Sequence, residues 1–126
     1  MLGEAAGSRK IRLETTAWNS LDFTIPDNAG RQPMKRSIIT GSLATLASTL
    51  PLEKFHTFLT DNRHEVSISD DAGRYLCNQI FFTALEFIRC HGIPCPAGFI
   101  HPPFASDYPT ARAVDALDLL VREMMC

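Results

Sequence analysis

The chain lacks most of the features that would assign it to a specialised class. No apolar run is long enough to span a bilayer, and the N-terminus has no charged stretch followed by an apolar one, so neither a membrane anchor nor an export signal is expected. Basic residues cluster only as the pairs Arg9-Lys10 and Lys35-Arg36, within a net charge of −2 in which both signs are interspersed. That excludes a nucleic-acid or membrane-surface patch. The four cysteines, at 77, 90, 95 and 126, form no CxxC pair, which argues against a zinc ribbon or a dithiol redox centre. Cys90, His91 and Cys95 have no fourth ligand beside them and are separated by a glycine and a proline, so no metal or other cofactor is expected. The cysteines read as reduced thiols of a soluble, cytoplasmic protein. At 126 residues, positions 1–126 read as a single domain able to bury roughly two-thirds of its unfolded surface.

What is present centres on Val66 to Phe82. Val66 to Ser69 alternate apolar and polar, Asp70-Asp71-Ala72-Gly73 is a turn whose carboxylates could cap a helix, and an apolar helical segment follows. This strand, tight turn and helix put Cys77 in or just before the first helical turn. Unpaired backbone N–H groups and the positive end of the macrodipole favour a thiolate there, so Cys77 is a candidate nucleophile. The alternative is a structural cysteine among Leu76, Ile80 and Phe81.

Along the chain, Met1 to Lys10 reads as a loop. Ile11 to Ser20 alternates as one strand, with Glu14 mid-strand; alone, such a glutamate reads as part of a solvated face. Phe23 to Gly30 is an extended piece entering a turn, and Arg31 to Ser42 a long loop. Leu43 to Leu50 is ambiguous between strand and helix, whereas Pro51 at a helical N1 position and Leu52, Phe55, Phe58 and Leu59 predict an amphipathic helix to about Asn62. His56 and His64 read as surface residues. The central helix runs from about Arg74 to Cys90 with a polar stripe of Gln79, Thr83 and Glu86, and His91-Gly92 closes it. Ala97 to His101 is a short strand whose final histidine would face the crevice where α/β sheets bind ligands. Thr110 to Cys126 is an amphipathic helix presenting Val114, Leu117, Leu120, Val121 and Met124. The alternation of strands and helices predicts an α/β fold with a mainly parallel sheet.

Several blocks together resemble the pyroglutamyl peptidase I family of cytosolic cysteine peptidases. They are Glu14 in IRLETTAWN, Ile25-Pro26-Asp27-Asn28-Ala29-Gly30-Arg31-Gln32-Pro33, Ser48-Thr49-Leu50-Pro51, Asp71-Ala72-Gly73-Arg74-Tyr75-Leu76-Cys77-Asn78 and Gly98-Phe99-Ile100-His101-Pro102. The order Glu, Cys, His, with 63 positions from Glu14 to Cys77 and 24 from Cys77 to His101, is that of the family's catalytic residues. The resemblance implies a three-layer α/β/α fold of the phosphorylase/hydrolase-like type. It implies hydrolysis of the amide bond after an N-terminal pyroglutamate through a thioester, with Cys77 as nucleophile, His101 as base and then acid, and Glu14 orienting the imidazole. Pyroglutamyl peptides would be the substrates, and a homo-oligomer the assembly. Ile25, Tyr75 and Leu76 match substrate-pocket positions, for which ordinary core packing is the alternative reading.

Two departures qualify what the resemblance implies. Thr24 stands where the family carries an arginine that helps at the oxyanion site, and loss of such a donor can cost about a hundredfold to a thousandfold in rate. The family also begins with a strand and a Gly- and Phe-rich turn that helps hold the pyrrolidone ring; with the N-terminal strands missing, a truncated domain is expected. The alternatives are therefore a catalytically impaired remnant acting as an oligomerising or partner-bound module, or a related Cys-His-Glu amide hydrolase with a reshaped pocket.

Overall fold

The computed structural model describes residues 1–125; Cys126, the end of the predicted last helix, lies outside the described residues. The chain forms two compact units that interleave along the sequence.

The first unit comprises Met1–Leu13, Pro51–Ser69 and the residues from Phe99 to the last helix. Its sheet has the order β4-β1-β5, where β1 is Ile11–Glu14, β4 Val66–Ser69 and β5 Phe99–His101. Residues 1 to 5, expected as a loop, instead lie along β5 in parallel: Leu2 bridges Ile100 and Ala5 bridges Pro103. Gly3 N–H donates to Ile100 O at 3.3 Å and Ala5 N–H to Pro102 O at 3.1 Å. Small residues let this extended stretch sit close, and Ala5 is buried.

Helix α1, Leu52–Asp61, buries Leu52, Phe55 and Leu59 and packs on β4. Pro51 caps it, one residue before the expected N1 position, and the Asn62 side chain closes it on Phe58 O at 2.9 Å. Helix α3, Thr110–Met125, packs on α1 through Ala116 and Leu120, with an ion pair of 2.6 Å from Lys54 to Glu123. Of the face predicted for α3, Leu120 is buried, but Val114, Val121 and Met124 are exposed, and Ala116 is the other buried position. The expected surface position of His64 is also corrected. Its ring is buried, with Nδ1 2.9 Å from the Tyr108 hydroxyl and Nε2 3.1 Å from Asp115, so it ties the end of α1 to α3.

The second unit comprises Glu14–Leu50 and Asp70–Gly98. The single strand predicted for Ile11 to Ser20 breaks at Thr15, whose carbonyl accepts Ser48 N–H at 2.8 Å. Beyond it, β2 (Thr16–Trp18) pairs antiparallel with β3 (Thr45–Ala47), placing Ala17 opposite Leu46. The ambiguous Leu43 to Leu50 segment thus contains a strand. Pairing across the structure is mixed: residues 1–5 bridge in parallel, and the ribbon of β2 and β3 returns the chain on itself.

Helix α2, Leu76–Cys90, packs on both strands of the ribbon and buries Phe81, Phe82 and Leu85. It begins two residues later than predicted, at an extended Tyr75 with no side-chain cap. Asp71 does not cap the helix; its Oδ1 accepts Gly73 N–H at 2.9 Å and pairs with Arg74 at 2.5 Å, closing the turn on itself. At the other end His91 Nδ1 lies 2.8 Å from Phe87 O and Gly92 takes a φ of 60°, the expected glycine termination.

The long loop before β3 is tethered at intervals. Leu21 bridges Arg36 antiparallel, and the Asn19 side chain grips Ile39 as a strand would, donating to its carbonyl at 2.8 Å and accepting its N–H at 2.9 Å. Ser42 then donates to Glu86 Oε1 at 2.5 Å. Glu86, expected in a solvent-facing stripe, is buried and also takes two hydrogen bonds from Arg89. These donors, Arg89 first and then Ser42, pull its carboxyl from an ordinary 4.5 down to about 2. A depressed folded-state value means the stabilisation is whole above pH 4.5 and is lost as the pH falls through about 2. Urea midpoints of the native chain and Glu86→Gln should therefore differ most above pH 4.5 and converge on acidification towards 2.

Candidate active site

Cys77 occupies the first turn of α2, as the sequence predicts, and is half-buried. The turn before it is fixed from three directions. Arg74 lies over the Trp18 ring at 4.5 Å, Trp18 Nε1 donates to Asp70 O at 2.9 Å, and Asp22 N–H donates to Arg74 O at 3.0 Å.

Directly after Cys77 comes Asn78, fully buried, with a carboxamide that clamps the end of β2. Its Oδ1 accepts Trp18 N–H at 2.8 Å, and its Nδ2 donates to Trp18 O at 2.8 Å and Ser20 O at 3.0 Å. Asn78 was not singled out from the sequence, although an amide inside an otherwise apolar helical run signals a buried polar contact. Its three hydrogen bonds hold the start of α2, and so Cys77, in register with β2.

Glu14 closes β1 and is 0% exposed, so the solvated-face reading does not apply. Burial pushes the Cys77 thiol up from its ordinary value, and the Glu14 carboxylate pushes it further the same way. The direction is opposite to that expected from the helix N-terminus, and burial is its larger cause. His101, in the first unit, ends β5; its ring is buried and tilted against Phe99, with centroids 4.8 Å apart. A Cβ added at Gly98, in the second unit, would collide with Ser48 Oγ and the Leu50 side chain, which would have to shift to admit it.

The residues matched to a substrate pocket lie in the second unit. Tyr75 donates its hydroxyl to Pro26 O at 3.2 Å and meets Phe23 edge-on at 4.4 Å, which brings the exposed Thr24 and Ile25 to the start of α2. Leu76 remains 45% exposed, an argument against ordinary core packing for that side chain. It lines an open cavity of about 630 Å³ with Leu21, Phe23, Met34, Arg36 and Gln79. The rim also carries Asp27 and Arg31, paired at 3.0 Å. The Arg31 N–H, together with the Ala29 N–H and the Arg31 guanidinium, holds the Asp27 carboxyl below its usual range. Arg36, which the sequence marks only as half of a basic pair, lies three residues beyond the family-like block that ends at Pro33.

The model of the family described as pyroglutamyl peptidase matches residues 1–119. The chain belongs to the pyroglutamyl peptidase family. It is 36% identical over 107 residues to the pyrrolidone-carboxylate peptidase of Thermococcus kodakarensis, covering 85% of this chain and 52% of that protein. With the Thermococcus litoralis protein of the same name, identity is 40% over 106 residues, covering 84% and 48%. The chain thus spans about half the length of these curated relatives. Its α/β fold is that of the solved family members. A mutant pyrrolidone carboxyl peptidase from Pyrococcus furiosus superposes with a TM-score of 0.92 at 27% identity, over 96% of this chain and 65% of that one. Pyroglutamyl peptidase I from Bacillus amyloliquefaciens gives 0.91 at 26%, over 94% and 62%.

Two measurements follow. Glu14→Gln removes the like charge from beside the thiol, so the pH profile of Cys77 alkylation, read on its own peptide by mass spectrometry, should move to lower pH. It should stay above that of a free thiol, because burial remains the larger cause. Asn78→Ala leaves the Trp18 N–H and the Ser20 carbonyl without their partner, while Trp18 O keeps the Ser20 N–H, and should lower unfolding stability by about 1–3 kcal/mol, measured in urea.

Proposed function

We propose that the chain carries the chemistry of a cysteine exopeptidase that removes an N-terminal pyroglutamate. The observation that carries this reading is the family match across residues 1–119, which includes a cysteine in the first turn of α2. In it, Cys77 Sγ attacks the carbonyl joining pyroglutamate to the next residue while His101 takes the thiol proton. The raised Cys77 value supports proton transfer as part of the attack step, in place of a standing thiolate. The tetrahedral oxyanion is met by backbone N–H groups at the start of α2, including that of Cys77. The imidazolium then gives its proton to the departing amine, leaving a thioester, and water activated by the imidazole hydrolyses this and restores the thiol. Glu14 orients the imidazole and stabilises its charged form.

Thr24, Ile25, Tyr75 and Leu76 form the wall met by the pyrrolidone ring. Thr24, a shorter and neutral donor, contributes less at the oxyanion than the arginine the family carries. The reaction needs only residues and water. A cytoplasmic homo-oligomer is consistent with two features: among the described residues no helix is long and apolar enough to cross a membrane, and Ile80, Phe87, Val114 and Val121 are exposed.

The test is release of a fluorogenic amine from a pyroglutamyl amide under reducing conditions. Turnover by the native chain that Cys77→Ala abolishes supports the reading. A folded chain with no turnover above the variant overturns it.

A further inference from the structure

The cavity beside the start of α2 shares Leu76 with the wall met by the pyrrolidone ring, but it also carries charged groups for which a neutral lactam has no use. Apolar side chains including Leu21, Phe23, Met34 and Leu76 line it, together with Gln79 and Arg36. The acidic and basic groups on its rim, Asp27 and Arg31, neutralise one another. Among the described residues, the Arg36 guanidinium has no ion-pair or hydrogen-bond partner, and neither does the half-buried Gln79 carboxamide. Arg36 therefore sets the sign of the field in the cavity, and only its backbone is engaged, in the bridge to Leu21.

We propose that this cavity receives the part of the peptide that follows pyroglutamate, and that Arg36 favours substrates carrying a carboxylate there. The inference rests on the peptidase reading. Leu76 directly precedes Cys77, and consecutive Cα atoms are about 3.8 Å apart, so a chain attacked at its first carbonyl reaches the cavity within one or two residues. Pyroglutamate is a neutral lactam, and cyclisation has removed the α-ammonium group. A short pyroglutamyl peptide without basic side chains is consequently a net anion, whose charge lies wholly on the leaving side, at the C-terminal carboxylate or an acidic side chain. An unpaired arginine over an apolar wall suits such a segment, and Gln79 can pair with its main chain.

The test measures equilibrium binding to the Cys77→Ala form of the full chain, which holds peptides without cleaving them. The probes are pyroglutamyl-alanyl-alanine, its C-terminal amide and pyroglutamyl-glutamyl-alanine amide. The free acid should bind about two- to fivefold more tightly than its amide, the range of an exposed ion pair, and the advantage should shrink with added salt. Adding Arg36→Gln should bring the ratio to about one, and Arg36→Lys should restore it in part. The glutamyl amide separates a side-chain carboxylate from a terminal one, and a preference for either that depends on Arg36 supports the proposal. Equal binding of all three probes, or a preference that survives Arg36→Gln in a chain with an unchanged urea midpoint, overturns it. Turnover of the fluorogenic amide by the chain with Cys77 intact reports on the peptidase reading separately. Turnover with no carboxylate preference removes only the Arg36 proposal. An Arg36-dependent preference with no turnover removes the peptidase reading, and with it the assignment of this cavity to a leaving group.

Discussion

The carboxamide of Asn78 is the contact on which the local order of the second unit depends. One side chain, buried in the second position after the start of α2, satisfies the N–H and carbonyl of Trp18 and the carbonyl of Ser20. Those groups lie at the end of β2, where the ladder with β3 stops and backbone polar atoms would otherwise need other partners. The clamp fixes the height of α2 on the ribbon and the position of Trp18. The Trp18 indole in turn holds Asp70 and carries Arg74, the two sides of the turn that leads into the helix. A cysteine one residue before such an anchor has little freedom to move away from its helical turn.

The electrostatics around that cysteine show which of two opposing effects prevails. A helix N-terminus favours a thiolate, but the effect is modest and falls off within a turn, whereas burial and a neighbouring carboxylate act directly on the sulfur. At Cys77 both push the thiol upward, burial more than the Glu14 carboxylate.

Much of this was legible in the sequence because it rests on periodicity and local chemistry. The helical spacing of Leu52, Phe55 and Leu59 located α1, the apolar run after Gly73 located α2, and blocks such as Asp71 to Asn78 pointed to the family. What escaped depends on tertiary partners. Nothing local shows that His64 would be buried between Tyr108 and Asp115, or that Glu86 would be drawn in by Ser42 from 44 positions away. Asp71 looked like a helix cap because capping is a local rule, yet the tighter turn to Gly73 and Arg74 claimed its carboxylate. The break at Thr15 was hidden for the same reason: alternation continues through it, and only the hydrogen bond from Ser48 shows where one strand ends.

The loop between β2 and β3 shows how length along the chain can mislead about freedom in space. Its Asp27 turn, the Leu21 to Arg36 bridge, the Asn19 grip on Ile39 and the Ser42 bond to Glu86 divide it into short spans, each closed separately. Closing several short loops in sequence fixes the backbone far more tightly than closing one long one, since no span is left to explore its full contour. The Ile39 amide, outside any strand but bonded to the Asn19 side chain, should exchange with solvent as slowly as those of the ribbon beside it.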